Sequence, residues 1–171
     1  MQLNYKTNRL ILNKLTVHDA AFIFELVNTP GWIKFIGDRN VKTTEDAFNY
    51  IQKIISNAGI NYWVVKLEDK QIAVGIITFI KRDYLEYHDI GFAFLPAYAK
   101  QGYAFEAALA VLTNLVKDKE HSTILATTIK ENEASIQLLK KLGFTYRNEI
   151  KNGNDLLHVY AVNAGRLYVS V

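Results

Sequence analysis

Residues Asp89 to Ala107, DIGFAFLPAYAKQGYAFEA, carry the clearest chemistry in the chain. They read as a buried strand, a short turn, and a helix that opens at Gly102. A turn of this kind leaves backbone N–H groups unpaired at the start of a helix. Those donors and the positive end of the helix dipole together suit a phosphate group. Glycine at 102 has a steric use there, since a side chain would block close approach of the anion. Taken alone, Gly102-Tyr103-Ala104 also reads as an ordinary tight turn with close packing. Other side chains narrow the options. There is no cysteine, so disulfides and thiolate catalysis are excluded. His18, His88, His121 and His158 are scattered without ligand spacing, and no metal site is expected.

The strand before the turn has two unlike faces. Ile90, Phe92 and Phe94 point one way, toward a core, while Asp89, Gly91, Ala93 and Leu95 point the other. Two small residues on the second face leave space, either for a closely packed helix or for a ligand. Around this strand the rest of the chain alternates between helical and extended patterns. Arg9 to Leu15 reads as a first strand. Thr16 with Asp19 looks like a capped start for a helix through Phe22, Ile23, Leu26 and Val27, closed by Pro30-Gly31. Thr43 with Asp46 announces a second helix on Ala47, Tyr50, Ile51, Ile54 and Ile55. Tyr62–Leu67 and Ile72–Ile80 flank the polar turn 68–71 as a hairpin, and Tyr87–Leu95 is the third strand of that run. A helix over Gly102–Lys117 follows, then a strand at Thr123–Ile129 and a helix over Asn132–Leu142 that Gly143 stops. Two last strands, Phe144–Lys151 and Leu156–Val162, flank Asn152-Gly153-Asn154, a hairpin signal. Consecutive strands imply antiparallel hairpins, and strand–helix–strand over 87–129 allows one parallel crossover. The predicted fold class is α+β, three layers with a mixed, mostly antiparallel sheet and helices on both faces.

At 171 residues with ordinary composition, the whole chain, 1–171, is expected to be one domain. No repeat, low-complexity segment or linker divides it. The N-terminal MQLNYKTNRL lacks an apolar signal-peptide core, and no apolar run approaches the ~18 residues of a membrane span. A cytoplasmic protein is the simplest expectation. A formal charge of +3 suits a polyanionic small ligand, but a mildly basic solvated surface is its commoner meaning. The chain carries 21 aromatic residues (10 Tyr, 9 Phe, 2 Trp), but they fall at core-like positions and no Lys/Arg stripe is concentrated, so neither nucleic acid nor membrane is an expected partner. The loop lacks G-x-G-x-x-G, which argues against a dinucleotide-binding fold.

From Thr7-Asn-Arg-Leu10 to the last hairpin, the chain resembles the GNAT N-acetyltransferases. The element order carries the likeness, with the loop Ala99-Lys-Gln-Gly102-Tyr103-Ala104 and the later Asn132-Glu-Ala-Ser135…Leu142-Gly-Phe144. Thr7-Asn-Arg-Leu-Ile-Leu12, Leu15-Thr-Val-His-Asp-Ala20 and Trp32–Arg39 are similar to the Rim-type branch that acetylates ribosomal-protein N-termini. The resemblance implies acetyl-CoA as co-substrate, direct attack of a primary amine on the thioester, and no metal. It implies that backbone amides of Gln101, Gly102, Tyr103 and Ala104 hold the pyrophosphate. Main-chain groups of Phe94 and Leu95, with Asn132, would hold the pantetheine arm as an added strand. A nearby amide would stabilise the oxyanion.

The same likeness gives catalytic roles to Asp89 and Ser135. Asp89 stands where relatives carry a catalytic Glu; one methylene shorter, it would act as base through a water. A polar residue at an exposed strand entrance is the alternative. His88 and Glu86 are weaker choices for the base. Many family members use a Tyr as general acid where this chain has Leu139, and the loop has Ala99 where Gln or Arg is usual. Ser135 then stands as donor to the leaving thiolate, or simply as a first-turn helix residue. Glu106 reads as a helix-dipole or loop-bracing carboxylate. Trp32, Phe35 and Ile36 read either as acceptor-pocket lining or as a satellite core. The two departures also allow a different protein, an acyl-CoA-binding sensor without turnover. The acceptor stays open between a ribosomal-protein N-terminus, another peptide and a small amine, and a homodimer is among the assemblies the sequence allows.

Overall fold

A computed structural model describes residues 4–117, 121–163 and 165. Its centre is one eight-stranded sheet in the order β1-β2-β3-β4-β5-β6-β8-β7. The strands are β1 (Asn4–Lys6), β2 (Leu10–Lys14), β3 (Ile60–Leu67), β4 (Ala73–Ile80), β5 (Asp89–Phe94), β6 (Thr123–Thr128), β7 (Thr145–Asn152) and β8 (Asp155–Asn163). The helices are α1 (Ala20–Val27), α2 (Pro30–Phe35), α3 (Thr44–Ile55), α4 (Tyr103–Leu115) and α5 (Glu133–Lys141). Every strand pair is antiparallel except β5 with β6, the pair that α4 crosses over.

Local chemistry sets most boundaries. At α3, Thr43 Oγ1 accepts from the Asp46 N–H at 3.0 Å and the Asp46 carboxylate accepts from the Thr43 N–H at 2.9 Å, the reciprocal cap the sequence announces. Thr16 and Asp19 make the same contact, but the turn they open is a 3₁₀ turn, Val17–Asp19, ahead of α1. Pro30-Gly31 does not close a helix as expected; it begins α2. Thr29 Oγ1 accepts from the Trp32 N–H at 3.3 Å and proline takes the first helical position, where its missing N–H costs nothing. Strand β1 lies ahead of the predicted start at Arg9 and exists only through its pairing with β2.

Two cores sandwich the sheet. On one face Leu10, Leu12, Trp63, Ile77, Phe79 and Ile90 pack against Ala107, Ala108, Val111 and Leu112 of α4, with Leu139 and Leu142 at the α5 end. Small residues in α4 let that helix lie close to the strands. On the other face Val64, Ile76 and Leu95 meet Ile23, Leu26, Trp32, Ala47 and Ile51 of α1–α3. Helices thus cover both faces, as the element order predicts. No helix among the described residues is long and apolar enough to cross a membrane.

Candidate active site

The sheet splits beside β5. Six residue pairs join β5 to β4, from Gly75↔Phe94 to Ile80↔Asp89, but β5 and β6 share only Asp89↔Leu125. Past that point the two parallel strands part, and a V opens toward their C-terminal ends. Strand phase decides which groups line it. In an antiparallel pair, alternate residues direct both N–H and C=O at the neighbour, and the residues between direct theirs away. The Leu95 N–H donates to Val74 O at 2.9 Å, so Leu95, Ala93, Gly91 and Asp89 face β4. Ile90, Phe92 and Phe94 face β6, in phase with the Leu125 N–H bond to His88 O at 2.9 Å.

Among the described residues, the open edge of the V is therefore Phe92 and Phe94. Of the two residues expected to face a ligand there, Phe94 is on this edge. Leu95 is not: its N–H is held by Val74 and its carbonyl accepts from the Tyr98 N–H at 2.9 Å. The space expected at Gly91 is also taken, since a side chain there would meet Thr78 Oγ1 at 2.6 Å.

After a 3₁₀ turn, Pro96–Tyr98, the chain reaches the phosphate-binding candidate. Lys100 (φ +59°) and Gly102 (φ +81°) both take left-handed backbone conformations, flanking Gln101 and opening α4. Alternating backbone of this kind turns successive N–H groups to one side and makes an anion nest. The Glu106 N–H donates to Gly102 O at 3.0 Å, the first helical bond, so the amides of Tyr103, Ala104 and Phe105 have no acceptor within α4. Gln101 is tied back by its side chain, Nε2 to Ala97 O at 3.1 Å.

Behind the nest lies a contact set that sequence reasoning missed. Arg9, in the β1–β2 turn, donates from Nη1 to Gln101 O at 3.1 Å and from Nε to Glu106 Oε2 at 2.7 Å. Its Nη2 lies 2.6 Å from the same oxygen, its own N–H donates to Glu106 Oε1 at 3.2 Å, and Thr7 Oγ1 donates to Oε1 as well. Burial alone would raise the Glu106 carboxyl, but the hydrogen bonds from Thr7 and Arg9 outweigh it and hold it below the usual carboxylate range. Glu106 is thus the loop-bracing carboxylate of the sequence reading. The only signal for its partners was Thr7-Asn-Arg9, whose role a linear reading does not show.

At the apex of the V, Asp89 is 2 % exposed, not the exposed strand entrance the sequence allowed. Oδ1 accepts from Arg82 Nε at 2.9 Å and Oδ2 from Thr127 Oγ1 at 3.2 Å. Burial pushes its carboxyl above the usual range, while Arg82 and then Thr127 pull the other way. Around this pair gather phenols that the sequence did not point to. Tyr62 is opposite Thr78, itself opposite Gly91, so the three share the α1–α3 face. Burial first, then Tyr50, raise the Tyr62 phenol, with Arg39 and Arg82 opposing; it stays a neutral donor. Arg82 also lies 6.0 Å from the Tyr84 ring. His88 is on the opposite face, stacked on Phe79 with ring centroids 4.7 Å apart, and Glu86 pairs with Arg147 at 3.1 Å. Neither stands beside Asp89.

Helix α5 starts beyond the C-terminal end of β6, at the end of the sheet where the nest lies. Asn132 Oδ1 caps it, accepting from the Ser135 N–H at 3.2 Å. Asn132 N–H and C=O are engaged with Ile129 and Ile136, leaving its side-chain amide as donor. Ser135 is half-buried, and its hydroxyl has no partner among the described residues. Leu139 is 1 % exposed inside the α4–α5 core and does not line the V. Trp32 is likewise core, while Ile36, the C-cap of α2, is exposed.

A split parallel pair with an anion nest at its open end is one decisive observation; sequence similarity is the other. The profile of the acetyltransferase (GNAT) domain matches residues 9–145. This chain belongs to the GNAT acetyltransferase family. The uncharacterised N-acetyltransferase YnaD of Bacillus subtilis is 32% identical over 155 residues, 87% of this chain and 89% of the relative. A GNAT-family acetyltransferase structure from Bacillus anthracis superposes with a TM-score of 0.80 at 29% identity, covering 95% of this chain and 99% of that one. The ribosomal-protein-S5-alanine acetyltransferase of Vibrio fischeri gives a TM-score of 0.80 over 95% of this chain and 97% of its own, but at 17% identity that likeness carries the fold alone. The chain is an acetyltransferase with a GNAT fold.

Proposed function

We propose that the protein moves the acetyl group of acetyl-CoA onto a primary amine by direct attack on the thioester. The observation that carries this reading is the open β5 edge, Phe92 and Phe94, leading into the nest at Lys100–Ala104. An extended pantetheine arm bonds such an edge as a strand would, and the nest then receives the pyrophosphate. In this reading the amides of Gln101, Gly102, Tyr103 and Ala104 hold the pyrophosphate. Phe94, Phe92 in place of Leu95, and the Asn132 side-chain amide hold the arm. Acetyl-CoA supplies the activated acyl group.

The protein's own residues then handle protons and charge. Asp89, through one water, takes a proton from the attacking amine as nitrogen bonds to the carbonyl carbon. A carboxyl raised above its usual range suits a base working near neutral pH better than an ordinary one would. An edge N–H of β5 donates to the oxyanion of the tetrahedral adduct. When the carbon–sulfur bond breaks, the Ser135 hydroxyl hydrogen-bonds the departing thiolate. Half-buried Tyr62, with Tyr50, Tyr84 and Arg39, frames the acceptor side.

Thiol release measured against acetyl-CoA tests this, with one panel of peptides bearing free N-termini and another of small amines. The Vibrio fischeri neighbour's name motivates the peptide arm. Turnover by either panel, with saturable acetyl-CoA, supports the reading. Tight CoA binding without thiol release in both panels points to an acyl-CoA sensor instead and sinks it.

A further inference from the structure

We propose that Arg9 and Glu106 form a positioning pair that holds the phosphate nest in shape, so that affinity for acyl-CoA is set from the β1–β2 turn. This rests on the cofactor reading above. A nest binds an anion only while its N–H groups face inward and its carbonyls face out. Arg9 Nη1 grips the Gln101 carbonyl at 3.1 Å, which holds the central peptide of the nest in that orientation. Nε and Nη2 both lie against Glu106 Oε2 and the Arg9 N–H donates to Glu106 Oε1, so one residue ties the loop to the first turn of α4. Its plane is further fixed over the Tyr103 ring, 4.6 Å from the centroid.

Charge makes the pairing necessary. A bare carboxylate on the first turn of α4 would repel a pyrophosphate at the same helix end. With Arg9 and Thr7 donating to it, Glu106 keeps its bracing role while its charge is compensated. Gly102 completes the device. A Cβ there would lie 3.3 Å from Arg9 Nη2, so glycine leaves room for the guanidinium as well as permitting φ +81°. The reason for that glycine is therefore partly on the side away from the ligand.

Steady-state kinetics in acetyl-CoA, CoA binding by calorimetry and thermal unfolding of the full chain test the pair in Arg9→Ala, Arg9→Lys, Glu106→Ala and the double alanine variant. Arg9→Ala should raise the acetyl-CoA KM and the CoA Kd about tenfold, with kcat at saturation within about twofold. Glu106→Ala discriminates by sign. Removing a negative charge beside an anion site would tighten CoA if charge alone mattered, whereas loss of the brace weakens it. Arg9→Lys should recover little, because an ammonium cannot span the Gln101 carbonyl and the Glu106 carboxylate as a planar fork does. The double variant should match the worse single one. Tighter CoA binding in Glu106→Ala, full recovery by lysine, or kcat and Tm falling with KM unchanged would overturn the proposal. Variants that bind CoA as wild type does would also end it while leaving the acetyl-transfer reading intact. Failure of the wild type to bind CoA would remove both.

Discussion

Asp89→Asn separates a catalytic carboxylate from a structural one. The substitution is nearly isosteric, and the surroundings accept it. Asn Oδ1 can take the Arg82 Nε bond now 2.9 Å long, and Nδ2 can donate to Thr127 Oγ1, whose hydroxyl is free to accept. The lost charge pairing is partly offset because a buried carboxylate no longer has to be desolvated. The Arg82 side chain is 34% exposed, so its charge stays hydrated, and the change in stability should be about 1 kcal/mol or less. Against that small cost stands the loss of the base. General-base catalysis is worth roughly 10²- to 10⁴-fold, and a base that works through a water belongs at the lower end. The expected result is a fall in kcat/KM of about 100-fold with CoA affinity unchanged. The pH profile gives the second readout. Burial raises the Asp89 carboxyl despite Arg82, so the wild-type acid limb should lie above the ordinary carboxylate range and vanish in the Asn variant. Thiol release followed from pH 5 to 9 measures both. An unchanged kcat/KM and an unchanged limb would refute the assignment, and the Asp89–Arg82 pair would then be structural.

The same raised pKa has a stability signature. Protonation of Asp89 is favoured by the fold, so its contribution is fully present below the unfolded pKa near 4 and is lost as pH rises through the folded value. Denaturant midpoints from pH 4 to 8 should therefore show the wild type losing ground to Asp89→Asn; a constant difference would contradict the shift. Gly102→Ala should cost roughly 1–2 kcal/mol for a left-handed residue, and raise the acetyl-CoA KM by displacing Arg9. Urea unfolding and kinetics measure the two effects. Leu139→Tyr, the change toward the usual family residue, should lose about 1–3 kcal/mol by overpacking the α4–α5 core without raising turnover. Faster thiol release in that variant would show that the position does reach the site. Ser135→Ala should lower kcat roughly fivefold, the worth of one hydrogen bond, with acetyl-CoA KM nearly unchanged; equal loss in both would make Ser135 structural.

What could be read in advance was what neighbouring residues decide together. Thr43 and Asp46 cap α3 within four positions, and Gly102 opens α4 within one loop. Pro30 reads as a stop in the sequence because proline both starts and stops helices, and only the Thr29 cap shows that it starts one. The alternation on β5 correctly placed Ile90, Phe92 and Phe94 on the α4 face. It could not say which in-plane neighbour their N–H groups meet, because side-chain period and hydrogen-bond phase are separate properties of a strand. The sequence pattern therefore points to Leu95, whereas Phe92 faces the gap. Arg82 sits in a polar β4–β5 loop with nothing local to tie it to Asp89. Arg9 and Glu106 are 97 positions apart, and only the fold makes them neighbours.

The two departures from the family pattern bear differently on the chemistry. Ala99 is exposed, its N–H bonded to Pro96 O at 3.1 Å, and the nest is formed by the backbone of the residues after it. A backbone cradle does not depend on that side chain. Leu139 removes a phenol from the family mechanism, and the proton inventory of the reaction limits what that costs. The tetrahedral adduct must lose a proton from nitrogen to avoid expelling the amine again, which makes the base indispensable. The sulfur leaves as a thiolate, and thiols ionise near pH 8.5, so it departs from the adduct with little acid assistance. An amine or alkoxide leaving group would demand a true general acid; a thiolate needs only a donor such as the Ser135 hydroxyl or a water. On the proposed mechanism the help thus falls where the reaction needs it, at Asp89, and is sparse where it needs little. This orders the two variants: Asp89→Asn must cost more than Ser135→Ala, and the reverse order in kcat under saturating acetyl-CoA would show that thiolate departure, not amine deprotonation, limits turnover.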